Sequence, residues 1–379
     1  MKRYFIPFPA IFFSISILAQ SKVDILHYKY EIELNDNNDT IHGKSEIKFS
    51  VPTVFKSIDF DLSGKPETGK GMQIMRITYP DAWPVDASYD GKNFQHKNDK
   101  ITINTERISL KKDTSSIIIE YKGIPSDGLI ISKNKFGNRT FFADNWPNRA
   151  HHWIPCVDDP ADKATVEFIV TAPDHYQVIS NGVMIEETNL PDHRKITHWK
   201  ENTPLPTKVM VIGAADFAVN NIGEVNCTPV STWVFPENKA EGFYDYAPAK
   251  DILACYIPYI GTYAYKKLAN VPSKTIYGGM ENASAIFYHE NSVTGNRDEV
   301  SLLAHEIAHQ WFGNHVTEKS FAHIWLSEGF ATYLTHLYFE ATKGTNYFIN
   351  GLQNDREQVI AFTKSASWPV VDSTDNLKA

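Results

Sequence analysis

From Tyr28 to about Phe217, apolar and polar residues alternate with a period of two. Tyr28, Tyr30, Ile32 and Leu34 share one face of a strand. The polar run Asn35-Asp36-Asn37-Asn38-Asp39 makes a turn, and Ile47, Phe49 and Val51 resume the alternation. Further strands are predicted at residues 101–103, 116–121, 165–171, 177–180 and 208–212, punctuated by Gly, Pro and Asn. Together they predict an all-β region of about 190 residues, arranged as one sandwich or saddle-shaped sheet. After Val219 the period changes. Residues 244–261, 297–312 and 324–339 carry apolar side chains at helical spacing, which places a domain boundary near 218. The fold class is therefore multidomain: β over residues 21–218, then α+β over 219–379.

The first twenty residues stand apart. Lys2 and Arg3 precede an apolar run from Tyr4 to Leu18, small Ala19 ends it, and the chain turns polar at Gln20-Ser21-Lys22. This is the pattern of a secretory signal peptide over residues 1–20. The run is short for a membrane span and is broken by Pro7 and Pro9, and it lacks the alternation of a buried strand. Export to a periplasmic, cell-surface or secreted location is expected, with no stable membrane span after cleavage.

Composition narrows the field without naming an activity. At 379 residues, 42% hydrophobic and 22% charged, the chain is globular rather than disordered or coiled-coil. A net charge of −8 argues against a nucleic-acid partner, which needs a basic face. Cys156, Cys227 and Cys255 allow one disulfide at most, and no pair has zinc-ligand spacing. All three read as buried, small apolar side chains.

The chemistry concentrates in the second half. His305-Glu306-Ile307-Ala308-His309 lies within a predicted helix, with Asp298 and Glu299 in its first turn and Gly313 as its C-cap. Histidines at i and i+4 project from one face and chelate one ion, with Glu306 beside them. Random placement yields this pentapeptide in about 3% of such chains, and requiring Glu328 nineteen residues later cuts that about eighteenfold. Two imidazoles and a carboxylate make a three-ligand site with one open position, the arrangement of a catalytic zinc. One Zn2+ is expected there, lowering the pKa of a water to roughly 7, with Glu306 as the base that takes its proton. Upstream, Gly278-Gly279-Met280-Glu281-Asn282 reads as an extended segment able to pair with a peptide by strand addition, with Glu281 facing a positive charge at its end. Taken alone, those residues read more often as a turn.

Gly278-Gly279-Met280-Glu281-Asn282, then His305-Glu306-X-X-His309 and Glu328, resemble the aminopeptidase N-like zinc metallopeptidases, the gluzincin family that includes the leukotriene hydrolases. Trp311-Phe312-Gly313-Asn314, the stretch from Trp325 to Ala331, and Ile154-Pro155-Cys156-Val157-Asp158-Asp159-Pro160 extend the resemblance over nearly everything after the signal peptide. The resemblance implies His305, His309 and Glu328 as zinc ligands and Glu306 as general base. It implies Glu281 as the holder of the substrate's α-amine, with Gly278, Gly279, Met280 and Asn282 completing the substrate-binding segment. It also implies an N-terminal β-saddle, a thermolysin-like catalytic domain and a C-terminal helical domain, acting on peptides with a free N-terminus.

Two departures from the family pattern carry expectations. Relatives have a Gln upstream of the Pro-Cys segment; here the stretch reads Asp144-Asn145-Trp146-Pro147, with Asn145 as the amide that would substitute. The family's oxyanion-stabilising Tyr follows the zinc Glu at some distance. Tyr333, Tyr338 and Tyr347 lie too early for it, and residues 369–375 resemble the segment leading up to it. The expectation is therefore an incomplete catalytic domain, weak or inactive by itself, with that Tyr beyond Ala379. Tyr333 and Tyr338 are expected to pack on the second helix. A zinc endopeptidase and a catalytically silent peptide-binding protein are the rivals; Glu281 argues against the first and Glu306 against the second. His151, His152, His315 and His323 read as hydrogen-bonding residues rather than ligands, and Glu290 and Glu318 as solvated or as adding negative potential near the cleft.

Overall fold

The structure is a computed structural model that describes residues 23–50, 57–66, 69–80, 94–105, 113–366 and 369–371. The expected signal peptide, Val51 and most of residues 369–375 lie outside the described residues.

The period-two segments become strands of a seven-stranded sheet. Its order is Val183–Asn189, Arg194–Pro206, Lys163–Pro173, Ile25–Glu33, Ile41–Ser50, Thr114–Ile124 and Gly71–Thr78. All neighbours are antiparallel except Ile25–Glu33 and Lys163–Pro173, where Tyr30 pairs with Phe168 in parallel register. Tyr28, Tyr30, Ile32 and Leu34 are buried, as the alternation predicts. Tyr30 stacks on Phe168 at 5.2 Å, and the wholly buried Trp153 stacks on the same ring at 6.1 Å. A four-stranded sheet (Gln177–Ser180, Ile212–Ala215, Arg139–Ala143, Leu129–Lys133) and a three-stranded one (Ser57–Asp61, Lys100–Asn104, Phe94–Lys97) complete the β-rich part.

Residues 208–212 do not form the expected strand. Thr207–Val209 is a buried 3-10 turn, and a strand starts only at Ile212. Side chains take the place of a ladder here. Asn145 Nδ2 donates to the carbonyls of Thr207 and Met210, Asn181 Nδ2 to Val209, and Ser180 Oγ to Val211. With those carbonyls satisfied, an apolar run can be buried without pairing.

Beyond residue 217 the chain builds a five-stranded mixed sheet that helical spacing did not reveal. Its order is Ala218–Val225, Thr228–Val234, Leu268–Ser273, Ala285–His289 and Gly279–Met280. Leu268–Ser273 is parallel to both neighbours and buried at every position, so it shows no alternation. Gly279–Met280 is the edge strand, paired antiparallel with Ala285–His289. Phe142 meets Phe287 edge-on at 5.5 Å, joining the four-stranded sheet to this one. Asn181 Nδ2 also donates to Ala283 O at 2.7 Å, which pins the loop behind the edge strand to the β-rich part.

Five α-helices accompany the sheet among the described residues: α1 (Lys239–Tyr246), α2 (Ala249–Ile260), α3 (Val300–Ala308), α4 (Trp325–Lys343) and α5 (Thr345–Ser365). The predicted helix over 244–261 is two helices. Pro248 has no amide to offer the Tyr244 carbonyl, which accepts from Arg297 Nε instead. α3 begins after Glu299, so Asp298 and Glu299 precede its first turn rather than fill it. It ends at Ala308, and tight turns rather than helix lead to Gly313, so Gly313 is not its C-cap. Tyr338 is buried on α4 against Tyr256, whereas Tyr333 is half-exposed and edge-on to Phe348 of α5. All three cysteines are free, and Cys227 is exposed at the turn between two strands, with φ of 61°, contrary to its expected burial. No helix among the described residues is long and apolar enough to cross a membrane.

Candidate active site

α3 buries Leu303, Ala304, Ile307 and Ala308, which orients the histidines flanking that face. His305 Nε2 and His309 Nε2 converge to 3.0 Å. Glu328 Oε2, from the first turn of α4, lies 3.3 Å from the first and 3.5 Å from the second. Ligands 2.0–2.1 Å from a tetrahedral zinc stand about 3.3 Å apart, so the triangle has the right size for that ion. It is the one group of three such side chains with converging ligand atoms among the described residues. Phe312 and Phe330 stack at 4.5 Å, holding the start of α4 over the turn that follows α3.

The surroundings select the tautomer. His309 Nδ1 lies 3.0 Å from Phe312 O, and a carbonyl only accepts, so Nδ1 carries the proton and Nε2 turns its lone pair to the triangle. Ser327 Oγ lies 3.0 Å from the same Nδ1. Gly313, at φ of 120°, makes room for this: a Cβ there would stand 2.4 Å from Ser327 Oγ. Burial disfavours charge on His309, but with no ion between them its bond to Glu328 and that carboxylate's charge outweigh burial and raise its pKa to about 10, so a metal ion must displace the Nε2 proton before that lone pair can bind it. Burial would raise the Glu328 pKa, yet its bonds to His305 and His309 hold it well below the ordinary carboxylate range.

Glu306 points into the same cleft from the interior side of α3. Burial pushes its carboxyl up to about 8; His309 opposes that, and Glu281 and Glu328 reinforce it. Its Oε1 lies against Gly279, where an added Cβ would come within 2.3 Å. The edge strand and Glu306 are thus packed backbone to carboxylate, a contact that only glycine permits.

A cavity of about 280 Å³ brings together Gly278, Gly279, Met280, Glu281, His305, Glu306, His309 and Glu328. Asn282 lies behind this wall, wholly buried. The Glu281 carbonyl accepts from Gln310 Nε2 and Asn314 Nδ2, both at 2.7 Å, so the turn after α3 holds the loop that carries Glu281. Glu281 Oε1 is 3.9 Å from Lys208 Nζ, whose tight partner is the buried Glu318 at 2.5 Å. Glu318 is therefore neither solvated nor free to charge the cleft. Glu290 is likewise buried and paired with Lys274.

Asn145 is not a substrate-facing amide. It is wholly buried, donates to the two carbonyls already named and accepts from Trp153 Nε1 at 2.8 Å. Its neighbour Trp146 lines the cavity instead, with Tyr277 and Leu302. Those three are functional candidates that the sequence pattern missed; an aromatic beside Pro147 and another before Gly278 are the only signals it offered. His151 bonds Asp158 and His152 bonds Ser126, and neither His315 nor His323 joins the triangle.

The Peptidase M1 N-terminal domain matches residues 25–209, and the Peptidase family M1 domain matches residues 247–374. The chain belongs to peptidase family M1. The M1 chain is 31% identical over 199 residues to a leucine aminopeptidase 2 of Ajellomyces capsulatus, covering 51% of this chain and 31% of that one. It is 25% identical over 340 residues to a bovine glutamyl aminopeptidase, covering 82% of this chain and 34% of the relative. The M1 chain therefore spans about a third of the length of these curated relatives. An M1 zinc metallopeptidase from Deinococcus radiodurans shares the fold with a TM-score of 0.74 at 19% identity, covering 93% of this chain and 78% of that one. A two-domain M1 zinc metallopeptidase variant bound to L-tryptophan gives a TM-score of 0.75 at 18% identity, covering 94% and 79%.

Proposed function

We propose that this M1 chain is the catalytic part of an exported, zinc-dependent aminopeptidase that removes the first residue of peptides with a free N-terminus. The observation that carries the reading is the placement of Glu281 and the edge strand Gly279–Met280 in one cavity with Glu306 and the His305–His309–Glu328 triangle. One zinc ion held by those three side chains supplies a Lewis acid and lowers the pKa of a water to about 7.

The protein's own residues do the rest. Glu281 binds the substrate's α-ammonium, which limits cleavage to the first peptide bond. The edge strand, paired on one side only, receives the substrate backbone as a further strand. Glu306 takes a proton from the attacking water and returns it to the departing amine nitrogen; its place in the cavity beside the triangle puts it within reach of both.

The test compares aminoacyl p-nitroanilides with their N-acetylated forms on the zinc-loaded protein. Cleavage confined to free amines is expected, and Glu281→Ala should raise KM at least about thirtyfold, the loss of a buried charge contact worth ~2 kcal/mol or more. Equal cleavage of the acetylated substrates would point to an endopeptidase. Zinc bound without any turnover by the full-length protein would point to a silent peptide-binding protein. For export, the prediction is a mature N-terminus just after Ala19 in extracytoplasmic protein.

A further inference from the structure

One ion pair in the β-rich part grips the chain beside two aromatic side chains of the cavity wall. Asp144 is wholly buried, and its Oδ1 lies 2.6 Å from Arg149 NH2. Its other oxygen accepts from Thr275 Oγ1 at 3.1 Å and from the Ile276 amide at 3.2 Å. Those two residues lead directly into Tyr277, the first side chain of the cavity wall on the catalytic side. Arg149 in turn donates from Nε to the Trp146 carbonyl at 2.7 Å and from NH1 to Asp127 at 3.0 Å. Its guanidinium carbon stands 6.0 Å from the centre of the Tyr277 ring. Trp146 and Tyr277 meet edge-to-face at 5.3 Å and 86°.

We infer that the Asp144–Arg149 pair is a positioning device that fixes Trp146 and Tyr277 as an aromatic wall receiving a large apolar side chain on the substrate's first residue. The inference rests on the aminopeptidase reading above and adds the substrate class to it. Arg149 reaches the Trp146 carbonyl, Asp127 and Asp144 at once, with three different nitrogens, a fork that a lysine ammonium cannot reproduce. The pair therefore sets the height of Trp146 from one chain segment and of Tyr277 from another, some 131 residues apart at the Thr275 bond. The remaining wall is Met280 and Leu302, also apolar. No lysine or arginine lines the cavity to neutralise an acidic first residue; its histidines belong to the triangle, and Glu281 and Glu306 would repel it. A pair that merely stapled the two sheets would not need to grip the backbone beside both rings.

The test measures kcat and KM for phenylalanyl, alanyl and glutamyl p-nitroanilides on the zinc-loaded protein and on Asp144→Asn, Arg149→Lys and Trp146→Ala. Zinc content, Tm and the calorimetric Kd of free L-phenylalanine are measured alongside. The wild type should favour phenylalanyl over alanyl by about tenfold or more in kcat/KM, and glutamyl should be the poorest. Asp144→Asn and Arg149→Lys should raise the phenylalanyl KM and the L-phenylalanine Kd about tenfold in parallel, with zinc content and alanyl kcat unchanged. Trp146→Ala should abolish the preference with the ion pair intact. The inference fails if the preference survives both charge variants, or if phenylalanyl and alanyl rates fall together in step with Tm. Should Arg149→Lys not fold, Asp144→Asn and Trp146→Ala still decide, since a preference that persists in both overturns it. An active enzyme with no preference sinks this inference alone; a full-length enzyme inactive on all three substrates sinks the aminopeptidase reading.

Discussion

Gly279→Ala tests how closely the edge strand and the base are fitted. An alanine Cβ at this position would stand 2.3 Å from Glu306 Oε1, 2.5 Å from Cδ and 2.6 Å from Cγ. Ordinary contact needs about 3.4 Å, so the carboxylate must retreat by about 1 Å. Glu306 is buried and has little room to retreat. A 1 Å misplacement of a reacting group costs on the order of 10²-fold in rate, or about 2.7 kcal/mol of transition-state stabilisation. The overpacking itself should cost about 1–3 kcal/mol of stability. His305, His309 and Glu328 are not touched, so zinc stoichiometry should stay at the wild-type value. The assay is steady-state kinetics on an alanyl p-nitroanilide, with metal analysis and urea unfolding on the same preparation. The expected result is a kcat near one hundredth of wild type with zinc retained. A Gly279→Ala protein with unchanged kcat would refute the idea that Glu306 is held in register by its contact with the strand.

Three further outcomes follow from other contacts. Gly313→Ala puts a Cβ 2.4 Å from Ser327 Oγ and 3.1 Å from His309 Nδ1, in a backbone conformation that disfavours alanine; zinc affinity should fall about 10–100-fold in a chelator competition, as when a ligand loses its outer partner. Lys208→Met strands the buried Glu318 carboxylate and should cost about 3–5 kcal/mol in denaturant unfolding, while Lys208→Met with Glu318→Leu should recover most of it. Burial, with Lys208 adding to it, lowers the Lys163 pKa to about 8. The unfolded chain then binds one more proton than the folded one between about pH 8 and 10.5, so this lysine penalises folding below pH 8 and the penalty fades above it. Lys163→Met should raise Tm at pH 7 more than at pH 9.5, and an equal or larger gain at pH 9.5 would count against it.

The parts of the site that the sequence reveals are those governed by a single helix. His305 and His309 share a face because they are four residues apart, and Glu328 opens the next helix, so spacing alone places two ligands and announces the third. The strands that alternate are legible for the same reason: Tyr28, Tyr30 and Ile32 repeat with the period of a half-buried sheet. Leu268–Ser273 is not, because a strand buried on both faces has no alternation to show. The segment at 208–212 looks like a strand because its apolar character is real, but what satisfies its backbone is the amides of Asn145 and Asn181, which lie far away in sequence. The substrate pocket fails by one residue. Asp144-Asn145-Trp146 is the right stretch, yet Asn145, just past the strand end, turns into the core, and Trp146, at the start of the turn that follows, lines the cavity. Which of the two faces the cavity depends on partners such as Trp153 Nε1 and Met210 O that no local pattern encodes. The candidate metal triangle is thus carried by short spacings, whereas the aromatic wall of the cavity is carried by tertiary pairing, in which the contacts of Asp144 and Arg149 join Trp146 to the segment before Tyr277.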